Sequence, residues 1–125
     1  INTITSAIGR NQSLELFSQG DVYKTFLNAD DAVKLLGNII DKYTDLESFE
    51  IFQIAGEKSL RAIDIAQFVK KQLKSSSSIL LSDKKSRYDW NIFVDINKAK
   101  RKLDFQPMTM EESITNYLNQ KKNEI

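Results

Sequence analysis

The sequence has no cysteine and no histidine among its 125 residues, a single proline and only four glycines. The first two absences remove the usual zinc sites, thiol nucleophiles, Ser-His-Asp hydrolysis and imidazole acid–base chemistry. Whatever chemistry remains falls to Tyr, Lys, Asp, Glu, Ser and Thr. Glycine stands only at positions 9, 20, 37 and 56, so there is no Gly-x-Gly-x-x-Gly loop to cradle a dinucleotide. No apolar run nears the ~18 residues needed to cross a bilayer, and no basic-then-apolar leader opens the chain. A soluble, cytoplasmic protein without a membrane partner is the expectation, compatible with the lack of cysteine. An excess of one charge is missing too. The 18 Lys+Arg against 17 Asp+Glu leave +1, without the clustered positive surplus that a nucleic-acid partner demands.

What is present suffices for a core: 41% hydrophobic and 28% charged residues, too apolar for a disordered tail. One domain over 1–125 is expected, and a start at Ile1 rather than Met suggests a piece of something longer. Ile4 and Ile8 mark a short amphipathic helix ended by Gly9 and Asn11. Ser13 to Phe17 alternates as a strand closed by Gly20, and Val22 to Leu27 reads as a second strand, the two forming a hairpin or neighbouring edges. Asn28-Ala29-Asp30-Asp31 supplies caps for a helix whose Ala32, Val33, Leu35, Leu36, Ile39, Ile40 and Tyr43 make a wide apolar face. Phe49 to Ile54 places apolar residues on both faces, the habit of a strand covered on both sides. Ser59 is a candidate cap for a helix carrying Leu60, Ile63, Ala66, Val69 and Leu73.

The serine run 75–78 is a candidate hinge, followed by a short strand, Ile79 to Leu81, and a polar loop through Trp90. Two helices end the chain. Asp95 caps one bearing Ile96, Ala99 and Leu103; Thr109 and Glu112 have capping-box spacing for the other, with Met110, Ile114, Tyr117 and Leu118. Tyr117-x-x-x-Lys121 has the spacing of a Tyr–Lys proton shuttle, yet on a terminal helix Tyr117 simply extends the apolar stripe. Asp30 and Asp31 serve better as helix-start acids than as a metal pair. The lysine-rich stretches at 70–71, 84–85, 98–102 and 121–122 interrupt apolar stripes and read as solvated faces. More informative are Phe17, Lys24, Arg87 and Asp89, the last two in a polar loop flanked by Tyr88 and Trp90. Two cations, aromatic rings and a carboxylate suit a nucleoside diphosphate: charge for phosphates, a ring for the base, an acceptor for ribose.

Taken in order, the segments resemble the C-terminal portion of the extended short-chain dehydrogenase/reductase family of NAD-dependent nucleotide-sugar epimerases and dehydratases. Ser13 to Phe17 resembles its strand against the nucleotide base. Gly20 to Val33 resembles its Arg-Asp-Phe and Val-Asp-Asp-Val stretch, and Phe49 to Ser59 its Tyr-Asn-Ile-Gly strand. Val94 to Pro107 is similar to Asp-x-x-Lys-Ala-x-x-x-Leu-Gly-Trp-x-Pro, and Thr109 to Ile114 to Thr-Leu-Glu-Glu-Gly-Ile. The resemblance implies an α/β fragment of a Rossmann-type enzyme with about five helices, four or five short strands and no main NAD-binding sheet. It implies a nucleotide-sugar ligand held by Lys24 and Arg87 at the diphosphate, Asp89 at the ribose, and Glu15 and Phe17 at the base through backbone groups. Lys24 replaces a usual Arg and loses its bidentate fork. The chain alone is then expected to carry no catalytic residue and no cofactor, with NAD(P) and the Tyr-x-x-x-Lys pair on an N-terminal Rossmann portion. Without that portion, uncovered apolar surface and homo-oligomerisation are expected. The alternative is a stand-alone α+β protein-interaction module without catalytic activity.

Overall fold

The computed structural model describes residues 1–123. In chain order the elements are α1 (Asn2–Gly9), β1 (Leu14–Leu16), β2 (Tyr23–Lys24), α2 (Ala29–Lys42), β3 (Leu60–Arg61), α3 (Ala62–Leu73), β4 (Ile79–Leu81), α4 (Asn97–Leu103) and α5 (Met110–Asn123). Several helix starts follow from local chemistry. Asn28 Oδ1 accepts the Asp30 N–H at 2.8 Å to open α2, and Asp95 Oδ1 accepts the Asn97 N–H at 2.8 Å to open α4. At α5 the capping box closes: the Thr109 N–H donates to Glu112 at 2.9 Å, and the Glu112 N–H donates to Thr109 Oγ1 at 3.2 Å. The Thr109 N–H and then the Thr109 hydroxyl, 2.9 Å away, hold the Glu112 carboxyl below its usual range.

Two apolar cores organise these elements. Ile8 of α1 and Leu14 and Leu16 of β1 meet Ile65, Ala66 and Val69 of α3 and Ile114 of α5. The second core joins Leu35 of α2 and Ala55 to Ile96, Ala99, Leu103 and Phe105. The helix stripes foreseen from periodicity supply most of these residues, because a helix must bury its apolar side to be stable.

Strand pairing departs from expectation. β1 and β2 form neither a hairpin nor neighbouring edges. β1 pairs in parallel with β4, Leu14 opposite Ile79, while β2 pairs antiparallel with β3, Tyr23 opposite Arg61. The left-handed turn at residues 18–20 sends the chain off the first ladder before it can fold back. Phe49 to Ile54 has no ladder among the described residues and is not covered on both sides: Phe49 is 79% exposed, and Ile51 also faces outward. No strand lies beside it there, so its β-forming composition goes unused. Ser59 does not cap α3. Its hydroxyl donates to the Ile92 carbonyl at 2.7 Å, and Arg61 stands at the helix start without a side-chain cap.

Polar contacts fix the remaining segments. Lys98 and Lys102 of α4 both reach Glu50, at 3.2 and 2.5 Å, and Lys100 reaches Glu57 at 2.6 Å. These lysines therefore staple residues 50–57 to α4 rather than merely meeting solvent, and Lys102 above all holds the Glu50 carboxyl below its ordinary value. The serine run is tied down: Ser75 Oγ donates to the Ile8 carbonyl at 2.7 Å, lies 2.8 Å from Ser77 Oγ, and Ser77 is buried. On α2 the wide apolar face is only half used. Leu35 is buried, whereas Val33, Leu36, Ile40 and Tyr43 are between 60% and 70% exposed. A helix apolar on two sides is built to lie between two layers, and one is lacking among the described residues. No helix among them is long and apolar enough to cross a membrane.

Candidate functional site

The chain leaves β1 through three successive left-handed residues, Ser18 (φ 51°), Gln19 (φ 56°) and Gly20 (φ 70°). Only the last is a glycine, and it has to be. A Cβ there would lie 3.0 Å from Leu16 Cδ1 and 3.1 Å from Ile63 Cβ, at a φ that side chains rarely adopt. The turn clasps the 82–92 loop. The Ser18 N–H donates to the Lys84 carbonyl at 2.7 Å, Ser18 Oγ accepts the Ser86 N–H at 3.0 Å, and the Gln19 N–H donates to the Ser82 carbonyl at 3.0 Å. Gln19 Nε2 adds a bond to Asp83 at 2.6 Å.

From the opposite side β2 holds the same loop. Lys24 Nζ donates to the Tyr88 and Trp90 carbonyls at 2.8 and 2.6 Å and lies 5.1 Å from the Trp90 ring centroid. The Tyr23 N–H donates to Asn91 Oδ1 at 2.9 Å, and the Ile92 N–H returns a bond to the Tyr23 carbonyl at 2.9 Å.

The five residues expected at the site fall on this clasped rim. Glu15 sits outward on β1 and pairs with Lys84 at 3.2 Å. Phe17 follows, 47% exposed, with Lys84 Nζ 5.7 Å from its ring centroid. Arg87 is exposed. Its guanidinium lies 5.5 Å from the Tyr88 ring centroid and makes no ion pair among the described residues. Asp89 lines a shallow cleft of about 520 Å³ with Ser18, Asp21, Lys85 and Trp90. Lys24 and Asp89 thus meet on this loop and Glu15 and Phe17 share Lys84, whereas Arg87, among the described residues, contacts the Tyr88 ring and lines neither cleft. Sequence reasoning missed Ser18 and Lys85. Lys85 carried a signal only as a surface cation, and Ser18 carried none.

The Ser18 hydroxyl, and then Lys85 at 2.9 Å, hold the Asp89 carboxyl below the ordinary aspartate value of 3.8. A folded-state value below the unfolded one contributes stability above the carboxylate range, which is lost as pH falls through the folded value. Carbon-13 NMR titration of Asp89 is expected to give a midpoint below 3.8, and Ser18→Ala to move it upward.

A second cleft, of about 430 Å³, opens between the start of α1, residues 26–29, Gly56 and the start of α5, with Phe26, Asn28, Lys58 and Tyr117 on its walls. None of the five expected residues reaches it. The Lys121 side chain lies outside the described residues, so the Tyr117–Lys121 pair has no geometry to weigh. Asp31 is tied into the fold. It is 2% exposed and accepts the Met108 N–H at 2.8 Å, tying α2 to the approach of α5, and no acidic cluster fit for a metal occurs among the described residues. The glycines are scattered, and the described strands make two two-stranded ladders instead of a parallel sheet feeding a glycine-rich helix start.

The architecture matches a part of the fold of solved nucleotide-sugar epimerases and dehydratases. No protein-family model and no curated protein matches the sequence. Solved structures do. A UDP-glucose 4-epimerase from Thermotoga maritima, solved with UDP-glucose, superposes with a TM-score of 0.76 at 19% identity over 89% of this chain and 35% of its own. A UDP-glucuronic acid 4-epimerase from Bacillus cereus, in complex with UDP-glucuronic acid and NAD, gives 0.74 at 20% identity over 94% and 38%. A dTDP-glucose 4,6-dehydratase from Streptomyces venezuelae, with NAD bound, gives 0.72 at 16% identity over 93% and 36%. At these identities the likeness is one of fold. The chain spans little more than a third of the length of these structures.

Proposed function

We propose that this chain is the nucleotide-sugar-binding portion of an NAD(P)-dependent epimerase or dehydratase of the cytoplasm. The observation that carries the reading is the rim itself: an exposed guanidinium at Arg87 that makes no ion pair among the described residues and lies over the Tyr88 ring, two residues before an Asp89 carboxyl held below its usual range by Ser18 and Lys85, with the Tyr88 and Trp90 rings packed edge to face. The likeness to epimerase and dehydratase folds over about nine-tenths of the chain supports it.

In this reading Arg87 meets the diphosphate with a planar fork suited to phosphate oxygens. Asp89 accepts from ribose hydroxyls, and Phe17 and the backbone at Glu15 flank the base. Lys24 belongs to the same site through the loop that carries Arg87. The chain binds and orients its ligand and supplies no catalytic group. Transfer chemistry requires the sugar to be held against a reacting centre elsewhere, and fixing the diphosphate provides the orientation. NAD(P), with the group that moves the proton, belongs to a Rossmann portion that docks on α2 and residues 49–54, and no nucleic acid is bound.

Titration with a UDP-sugar and a dTDP-sugar tests the reading. Binding at millimolar concentration or tighter is expected, weakened about tenfold or more by Arg87→Ala, as loss of a charge-assisted contact predicts. No binding, in a well-packed monomer, would favour the stand-alone interaction module, and steep salt-dependent retention on DNA a nucleic-acid accessory domain.

A further inference from the structure

Lys24 stands where a second phosphate-binding cation is expected, yet its ammonium is already engaged. Two of its three donors go to the carbonyls of Tyr88 and Trp90, and its charge lies over the Trp90 ring. These carbonyls flank Asp89 on both sides and lie one and three residues beyond Arg87. A cation bonded to two main-chain oxygens of one loop fixes the path of that loop. The neighbouring bonds do the same work: Tyr23 exchanges bonds with Asn91 and Ile92, and Ser59 takes the Ile92 carbonyl. By contrast, Arg87 is exposed, lies against the Tyr88 ring and makes no ion pair among the described residues.

We infer that Lys24 is a positioning residue: it pins the 87–92 loop to β2 through the Tyr88 and Trp90 carbonyls, and so aims Arg87 and Asp89, while leaving the anion to Arg87. The inference deepens the nucleotide-sugar reading and rests on it for the identity of the anion. The pinning itself requires no ligand.

Amide hydrogen exchange of the full chain, free of ligand, tests the pinning. Lys24→Met keeps the length of the stem and removes the donors, and is expected to raise exchange about tenfold at the Tyr88 and Ile92 amides, the two of this stretch that donate hydrogen bonds. Exchange in α3 should stay unchanged, which separates local release from failure to fold. Lys24→Arg, which can still donate to both carbonyls, should restore protection. Arg87→Ala should leave it intact. Uridine diphosphate is the probe for the second arm: Arg87→Ala and Lys24→Met both weaken its binding, and Lys24→Arg recovers it. Unchanged exchange in Lys24→Met overturns the inference, most directly if the same variant loses uridine diphosphate, because Lys24 would then touch the anion itself. Failure of the wild-type chain to bind the nucleotide, with the exchange result as expected, leaves the pin in place and overturns the nucleotide reading.

Discussion

Dilution is expected to lower the average mass of this chain, and the paired substitutions Leu36→Glu and Ile40→Lys to abolish that dependence. Val33, Leu36, Ile40 and Tyr43 fall three, four and three residues apart, a seam along one side of α2, all largely exposed. Burying four such side chains yields about 6–10 kcal/mol. Association costs about 4–15 kcal/mol in lost freedom and ordering, so the surplus is small and copies of the chain should pair weakly, at micromolar concentration or above. A partner that also pairs with the open backbone of residues 49–54 adds hydrogen bonds along a strand and should bind more tightly. Both replaced side chains point away from Leu35 and the second core, so the melting transition should hold within about 0.5 kcal/mol. Light scattering across a concentration series reads the result. A mass that stays monomeric in the parent chain, with a high cooperative melt, would show that the α2 face has no need of a cover.

The second large effect concerns a backbone crossing. Gly56 donates its N–H to the Phe26 carbonyl at 2.6 Å, and a Cβ at position 56 would press into that same carbonyl. No rotamer relieves a clash with main chain. Gly56→Ala is therefore expected to cost about 3 kcal/mol, from the lost hydrogen bond and the forced separation of the two segments. The crossing also sets the wall of the cleft between Phe26 and the start of α5, so the damage should extend to Asn28 and the start of α2. Gly37→Ala is the matched control. A Cβ there meets nothing within 4 Å, and alanine in a helix interior should stabilise by about 0.5–1 kcal/mol. Denaturant melts of the two variants should move in opposite directions. Equal effects would mean that the close approach at Gly56 is not what holds the two segments together.

What could be read in the residues was whatever is decided within a turn or two of chain. Asn28, Asp95, and the Thr109–Glu112 pair each announce a helix start because a cap is a contact between near neighbours. The apolar stripes gave the cores for the same reason. Pairing partners were illegible: nothing at Leu14 indicates Ile79 on the adjacent strand, and the composition of Phe49 to Ile54 describes a covered strand whose neighbours are not among the described residues. Ser18 and Gln19 adopt left-handed backbone without the glycine that would betray it, as do Lys74 and Asp104 at helix ends. Asp104 holds the place where the resembling signature has glycine, which is why the match reads through an apparent departure. At the rim, Lys24, Arg87 and Asp89 were visible as charges. The bonds that organise them were not, since the acceptors for Lys24 are carbonyls, which every residue possesses.

The clasp between the Ser18 turn and Ser86 spans 68 residues. During synthesis the turn leaves the ribosome long before the loop it grips exists, and α2 emerges in the interval with its apolar seam bare. The rim therefore cannot close until the 82–92 loop has emerged, and long-range closure of this kind is slow compared with local helix formation. A nascent chain stalled before Ser82 would lack the residues of α4 and α5 that complete both cores, and would present chaperones with an uncovered hydrophobic helix as their target.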